Sequence, residues 1–262
     1  SLATEASQMM FRAFNKTIIV NNDIVNKNNL SGTIKASRVK VISAIISGED
    51  NGTSAFSPMS PEHTMLRSTL LKNGFIEDNE VIKNVFPQEA GAAAGEYTGD
   101  YVKQEIINYL RRCTRAQRSL QELVKLLKEE PFGLRDGYIP LLFAVELKKY
   151  ENVGIYFHGA EIEYSAEELL KAFERPDDYF FYLCDWTEEQ RRYINGLEEY
   201  FAEYLTLNPK NRLKELLGAM NVHYASLPKI ARATDRYVSD EAKQYREIMT
   251  LSHKDFHKFF FE

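Results

Sequence analysis

Ser119–Tyr164 reads SLQELVKLLKEEPFGLRDGYIPLLFAVELKKYENVGIYFHGAEIEY. Leu120, Leu123, Leu126 and Leu127 recur at steps of three and four, the spacing of one helical face, so Ser119–Glu129 reads as an amphipathic helix. Pro131-Phe132-Gly133-Leu134-Arg135-Asp136-Gly137 follows as a tight turn with two glycines. Tyr138–Tyr150 is nearly all apolar through Val145, which predicts a helix buried on most sides. Val153–His158 and Ala160–Tyr164 are runs of β-formers split by Gly159 and predict a hairpin. Helix, turn, helix and two-stranded wing is the element order of winged-helix modules. A helix pair followed by a hairpin also arises in folds with no nucleic-acid role.

Working outward, a third helix is expected over Ala166–Glu174, with Ser165 as its cap and Glu167 and Glu168 in its first turn, where the helix dipole favours them. Tyr179–Leu183 (YFFYL) reads as a last strand. Upstream, Tyr101–Cys113 alternates apolar and charged residues at helical spacing. The first section runs to about Phe75. In it, Leu30–Ile46 carries a helical stripe, with Asn29 and Ser31 where caps belong. Ser60-Pro61-Glu62 opens a helix that Gly74 ends. Residues 47–57 form a turn-rich loop, and residues 76–100, with Gly91-Ala92-Ala93-Ala94-Gly95, read as a linker. From Thr187 onward the pattern is helical again, broken at Asn208-Pro209, Leu227-Pro228 and Ser239. The expected class is mainly α with small β elements, an α+β fold with helical bundle regions around a winged-helix-like segment. The expected segments are 1–75, helical; 76–100, linker; 101–186, winged-helix-like α+β domain; and 187–262, helical.

At 262 residues, 44% apolar and 27% charged, the composition is that of an ordinary globular chain and excludes collagen, disulfide scaffolds and disorder. Cys113 and Cys184 lack the CxxC spacing of metal or redox sites and fit a reducing, cytoplasmic setting. No apolar run reaches the roughly 18–20 residues that span a bilayer. The chain opens on Ser1-Leu2 without an initiator methionine and closes on Phe259-Phe260-Phe261-Glu262, so it reads as a piece of a longer protein.

The net charge of −5 is unevenly spread. Gly159–Leu205 holds thirteen acidic and four basic residues, a balance of −9. Residues 103–118 hold Lys103, Arg111, Arg112, Arg115 and Arg118 against Glu105, a balance of +4. If the helix continues through Thr114, Arg111, Arg115 and Arg118 share one side of it and could neutralise phosphates. They could equally pair with the acidic stretch or with a partner. Arg135, in the turn, completes a possible nucleic-acid contact set of Arg111, Arg112, Arg115, Arg118 and Arg135.

Catalytic signatures are missing. Gly91–Gly95 is followed by Glu96 and Tyr97, whereas a Walker motif needs Lys and a hydroxyl to engage phosphate and magnesium. His253 and His257 lie one helical turn apart, but Lys254 stands where a metalloprotease carries its glutamate. Ser37-Arg38-Val39-Lys40 and Ser226-Leu227-Pro228-Lys229 match Ser-x-x-Lys without its SDN and KTG companions. His63, His158 and His223 are isolated in sequence, and no rule sets two of the carboxylates Glu161, Glu163, Glu167, Glu168, Asp177 and Asp178 opposite one another. No catalytic, cofactor or metal residue is assigned.

The turn and the helix after it, Pro131-Phe132-Gly133-Leu134-Arg135-x-Gly137-x-Ile139-Pro140-Leu141-x-Phe143-Ala144, resemble the C-terminal portion of large bacterial P-loop ATP-binding proteins, several of phage-defence type. Further strings occur in the same order: Asn21–Asn26 (NNDIVN), Leu30-Ser31-Gly32, Ala36-Ser37-Arg38, Ser60-Pro61-Glu62, Arg67-Ser68-Thr69, Pro176-Asp177-Asp178-Tyr179 and Tyr224-x-Ser226-Leu227-Pro228 with Arg232 and Thr234 beyond. The resemblance implies ATP bound in a separate N-terminal P-loop domain and none held by residues here. It implies a non-catalytic region coupling that ATPase to DNA or to a protein partner of a defence system. A purely structural or oligomerisation role, favoured by 15 tyrosines and 16 phenylalanines, stands beside it. An unrecognised hydrolase is the remaining expectation.

Overall fold

The structure, a computed structural model, describes residues 2–18, 20, 30–47, 56–76, 99–150, 152–184, 186–205, 212–250 and 256–261. The linker expected over 76–100, the loop over 47–57, the string Asn21–Asn26 and the break at Asn208-Pro209 lie largely or wholly outside those residues.

In chain order the elements are α1 (Leu2–Ala13), α2 (Gly32–Ser47), α3 (Pro61–Met65, running on as a π-helical turn, Leu66–Leu71), α4 (Asp100–Cys113), β1 (Arg118–Ser119), α5 (Leu120–Lys128), α6 (Ile139–Leu147), β2 (Val153–Phe157), β3 (Ala160–Ile162), α7 (Ala166–Glu174), β4 (Tyr179–Leu183), α8 (Glu188–Tyr200), a 3₁₀ turn (Ala202–Tyr204), α9 (Arg212–Ser226), α10 (Lys229–Ala233), α11 (Asp240–Thr250) and α12 (Phe256–Phe261). The described residues are mostly helical with four short strands, the mainly-α class with small β elements.

The chain divides into two compact units, Ser1–Lys149 with Tyr164–Tyr182, and Tyr150–Glu163 with Leu183–Glu262. This is a different division from the segments 1–75, 101–186 and 187–262. The helix pair α5–α6 belongs to the first unit and the hairpin β2–β3 to the second.

In the first unit the centre is α6. All nine of its residues are buried, as expected of a segment apolar on every side. Phe143 explains why 164–182 joins this unit. Its ring lies 5.3 Å from Phe173 of α7, 5.3 Å from Phe181 of β4 and 6.1 Å from Tyr109 of α4. Tilted or edge-on rings at these separations complement one another's quadrupoles. The short strand β1 runs antiparallel to β4, Arg118 opposite Phe181 and Ser119 opposite Phe180. Ser119 then caps α5, its Oγ accepting from the Gln121 amide at 3.3 Å. The turn between α5 and α6 is closed by Leu134 N–H donating to the Leu127 carbonyl at 2.8 Å. Within it Gly133 has φ +62° and lies against the Phe14 ring, so a side chain there would meet both strain and a clash.

In the second unit, β2 and β3 pair with Phe157 opposite Ala160, leaving a two-residue turn. His158 at φ 50° and Gly159 at φ 79° supply the two left-handed positions that match the strand twist. The helical part packs Trp186, Ile194, Phe201, Leu216, Met220 and Phe260 into one core. Thr187 begins α8 with a reciprocal capping box to Gln190.

Candidate functional site

The arginines singled out by sequence occupy the end of α4, the turn after it and β1. Val102, Ile106, Tyr109, Leu110 and Cys113 bury one face of α4. Arg111 and Arg112 fall in its last turn, where cations complement the dipole. The helix does not continue through Thr114. Thr114 Oγ1 donates to the Arg111 carbonyl at 2.9 Å, and the Arg115 amide donates to the Arg112 carbonyl at 3.1 Å. The single helical stripe of Arg111, Arg115 and Arg118 therefore does not form, because Arg115 lies in the turn and Arg118 opens β1.

The partner of this cluster within the unit is Glu122 of α5. Its carboxylate lies 3.9 Å from Arg112 and 3.8 Å from Arg118. Arg112 also lies over the Tyr109 ring, 5.9 Å from its centroid. Such half-exposed pairs contribute about 0–1 kcal/mol each. Arg111 and Arg115 are exposed and make no ion pair with a described residue. Arg135 is exposed in the turn before α6.

A second feature, which the sequence reading did not single out as a site, is a cleft of about 570 Å³ in the first unit. It is lined from α2, α5, α6 and α7, with Arg38, Lys125, Lys128, Asp136 and Glu174 as its charged residues apart from Glu129. Arg38 is only 9% exposed, and its Nε is buried without a hydrogen-bond partner among the described residues. Burial pulls the guanidinium pKa below its ordinary value against the attraction of Glu174 and Asp136. Lys128 is committed to Asp136, Nζ to Oδ1 at 2.9 Å. Val124, Pro140, Leu170 and Phe173 give the cleft an apolar wall.

The remaining sequence candidates are distributed. His223 sits among rings, 5.3 Å from Phe201 and 5.7 Å from Tyr204, with Nδ1 3.5 Å from the Tyr245 hydroxyl. Ser226 donates to the His223 carbonyl at 2.6 Å, and Lys40 meets Glu62 at 3.6 Å. Glu163, from the acidic stretch, meets Lys214 at 3.6 Å within the second unit. His253 and the side chain of His257 lie outside the described residues. Among the described residues no group of three or more His, Cys, Asp or Glu could hold a metal ion. No described helix is long and apolar enough to cross a membrane. No protein-family model, curated protein or solved structure matches this chain.

Proposed function

We propose that the chain is a non-catalytic region of a large bacterial P-loop ATP-binding protein of phage-defence type. Working in the cytoplasm, it couples a nucleotide-binding domain elsewhere in that protein to DNA. The carrying observation is the pair Arg111, in the last turn of α4, and Arg115, in the turn after it, both exposed with no carboxylate partner among the described residues. Two solvated guanidinium groups one helical turn apart in sequence suit adjacent phosphates, and Arg112, Arg118 and Arg135 extend the positive field.

Fluorescence anisotropy of labelled duplex DNA at two salt concentrations tests this. Binding is expected to weaken as salt rises, since each neutralised phosphate releases counterion. Arg111→Ala with Arg115→Ala is expected to abolish it. Glu122→Gln, which frees Arg112 and Arg118, is expected to strengthen it. Absence of binding at low salt sinks the DNA reading.

A second reading, docking on the ATPase core or on another copy, rests on apolar side chains left in solvent in the second unit. Tyr237 is 92% and Ile230 74% exposed. Sedimentation that shows only monomer, unchanged by Ile230→Asp, would oppose self-association.

A further inference from the structure

We propose that the cleft around Arg38 is a binding site for a small molecule with an oxyanion head, phosphate or carboxylate, and an apolar body. This is independent of DNA binding by the arginines at the end of α4.

The argument begins in the sequence of α2. Ile34, Arg38, Val41, Ile42 and Ile45 recur at helical spacing, and Val41, Ile42 and Ile45 are fully buried core. Arg38 thus occupies a position where the pattern calls for an apolar residue. Burying a cation there is costly unless an opposite charge and hydrogen bonds compensate. Among the described residues neither is supplied at contact range: Arg38 makes no hydrogen bond or ion pair with any of them. Glu174 and Asp136 act on it only through space. Asp136 is already held by Lys128, and Glu174 is exposed to solvent.

Arg38 is one of the residues that line the cleft. The cleft's volume of about 570 Å³ falls within the roughly 300–1,000 Å³ of small-molecule sites. A planar guanidinium offers parallel N–H donors that match the two oxygens of a carboxylate or phosphate. Lys125, which makes no ion pair with a described residue, adds a second cation at the rim. Val124, Pro140, Leu170 and Phe173 provide the surface that would bury an apolar body. The oxyanion therefore sits at Arg38, with the rest of the ligand along α5 and α7.

The test reads Arg38 itself. In the ¹⁵N-labelled chain the Arg38 Nε–H resonance, assigned through its backbone, is followed while inorganic phosphate, acetate or chloride is added at matched ionic strength. A saturable shift with phosphate alone assigns a phosphate head, and one with acetate alone a carboxylate head. Saturation with both leaves the oxyanion class standing. No shift, or a shift that chloride reproduces, overturns the proposal. Lys125→Ala, an exposed change that leaves the core untouched, is expected to weaken the saturating anion about two- to fivefold. Glu174→Gln is expected to tighten it by removing a like charge. If Glu174→Gln alone moves the Arg38 resonance and anions then do not, Arg38 is paired within the chain and the site is refuted.

Discussion

Arg212 and Glu198 face one another in a parallel pair of hydrogen bonds, Nε to Oε1 at 2.8 Å and Nη2 to Oε2 at 2.6 Å. The pair ties α9 to α8 inside the second unit. The same guanidinium lies 5.1 Å from the ring centroid of Trp186. Two-point, charge-assisted bonding combined with ring stacking fixes an arginine far better than a single surface ion pair does. Glu198→Gln is therefore expected to cost about 1–2 kcal/mol, since it removes the charge while keeping the shape. Trp186 is the only tryptophan in the chain, so its fluorescence during urea unfolding reports this unit. An unchanged urea midpoint would show that the pair contributes nothing.

Phe143 is expected to be the most sensitive core position of the first unit. Its ring is fully buried and meets rings from α4, α7 and β4 together. Phe143→Ala leaves a cavity that those elements cannot all close at once, at a cost of about 3–5 kcal/mol. Circular dichroism during thermal unfolding measures it. A loss below about 1 kcal/mol would mean that the site collapses around the smaller side chain.

Thr187→Ala is expected to cost about 1 kcal/mol. The Thr187 hydroxyl accepts from the Gln190 amide at 3.2 Å while Gln190 accepts from the Thr187 amide at 3.0 Å, so one substitution strips an end of α8 of a reciprocal pair. Thr187→Ser keeps the hydroxyl and should retain most of the stability. Equal losses in the two variants would point to the methyl group instead.

Elements with local signals were legible in the sequence. Ser165 accepts from the Glu168 amide at 3.2 Å, and α7 runs Ala166–Glu174 as its cap and acidic first turn predict. YFFYL is a strand at its expected bounds, Tyr179–Leu183. The strand β1 was not legible, because Arg118-Ser119 has no apolar alternation and its pairing depends on Phe180 and Phe181, far along the chain. The end of α4 at Cys113 is where the helical spacing over Tyr101–Cys113 stops; what stayed open was whether the helix runs on through Thr114, since Thr114-Arg115-Ala116-Gln117 contains neither glycine nor proline to mark a stop. Arg38 left one trace, a charge on an apolar stripe, but the cleft is walled from three separate stretches of the chain, α2, the α5–α6 pair and α7. Periodicity reports which face of a helix is buried and not what lies across from it.

Alkaline pH should loosen the first unit. Burial pushes the Cys113 thiol up to about 12 from its ordinary 9.0. Burial likewise raises the Tyr109 and Tyr164 hydroxyls. Unfolded, a thiol titrates near about 8.5 and a phenol near about 10. The folded state holds these protons more tightly, so their contribution is fully present below the unfolded values and is lost as pH rises toward the folded ones. The urea midpoint should stay level up to about pH 8 and fall steadily from about pH 8.5 upward. Cys113→Ala should flatten the first part of that fall, between about pH 8.5 and 10, and leave the later tyrosine-driven part in place. At pH 8 a thiol reagent should modify Cys113 only at the rate at which the unit opens, because the residue is fully buried. A level midpoint through pH 10, or labelling of Cys113 at the rate of a free thiol, would contradict this account of the α4 core.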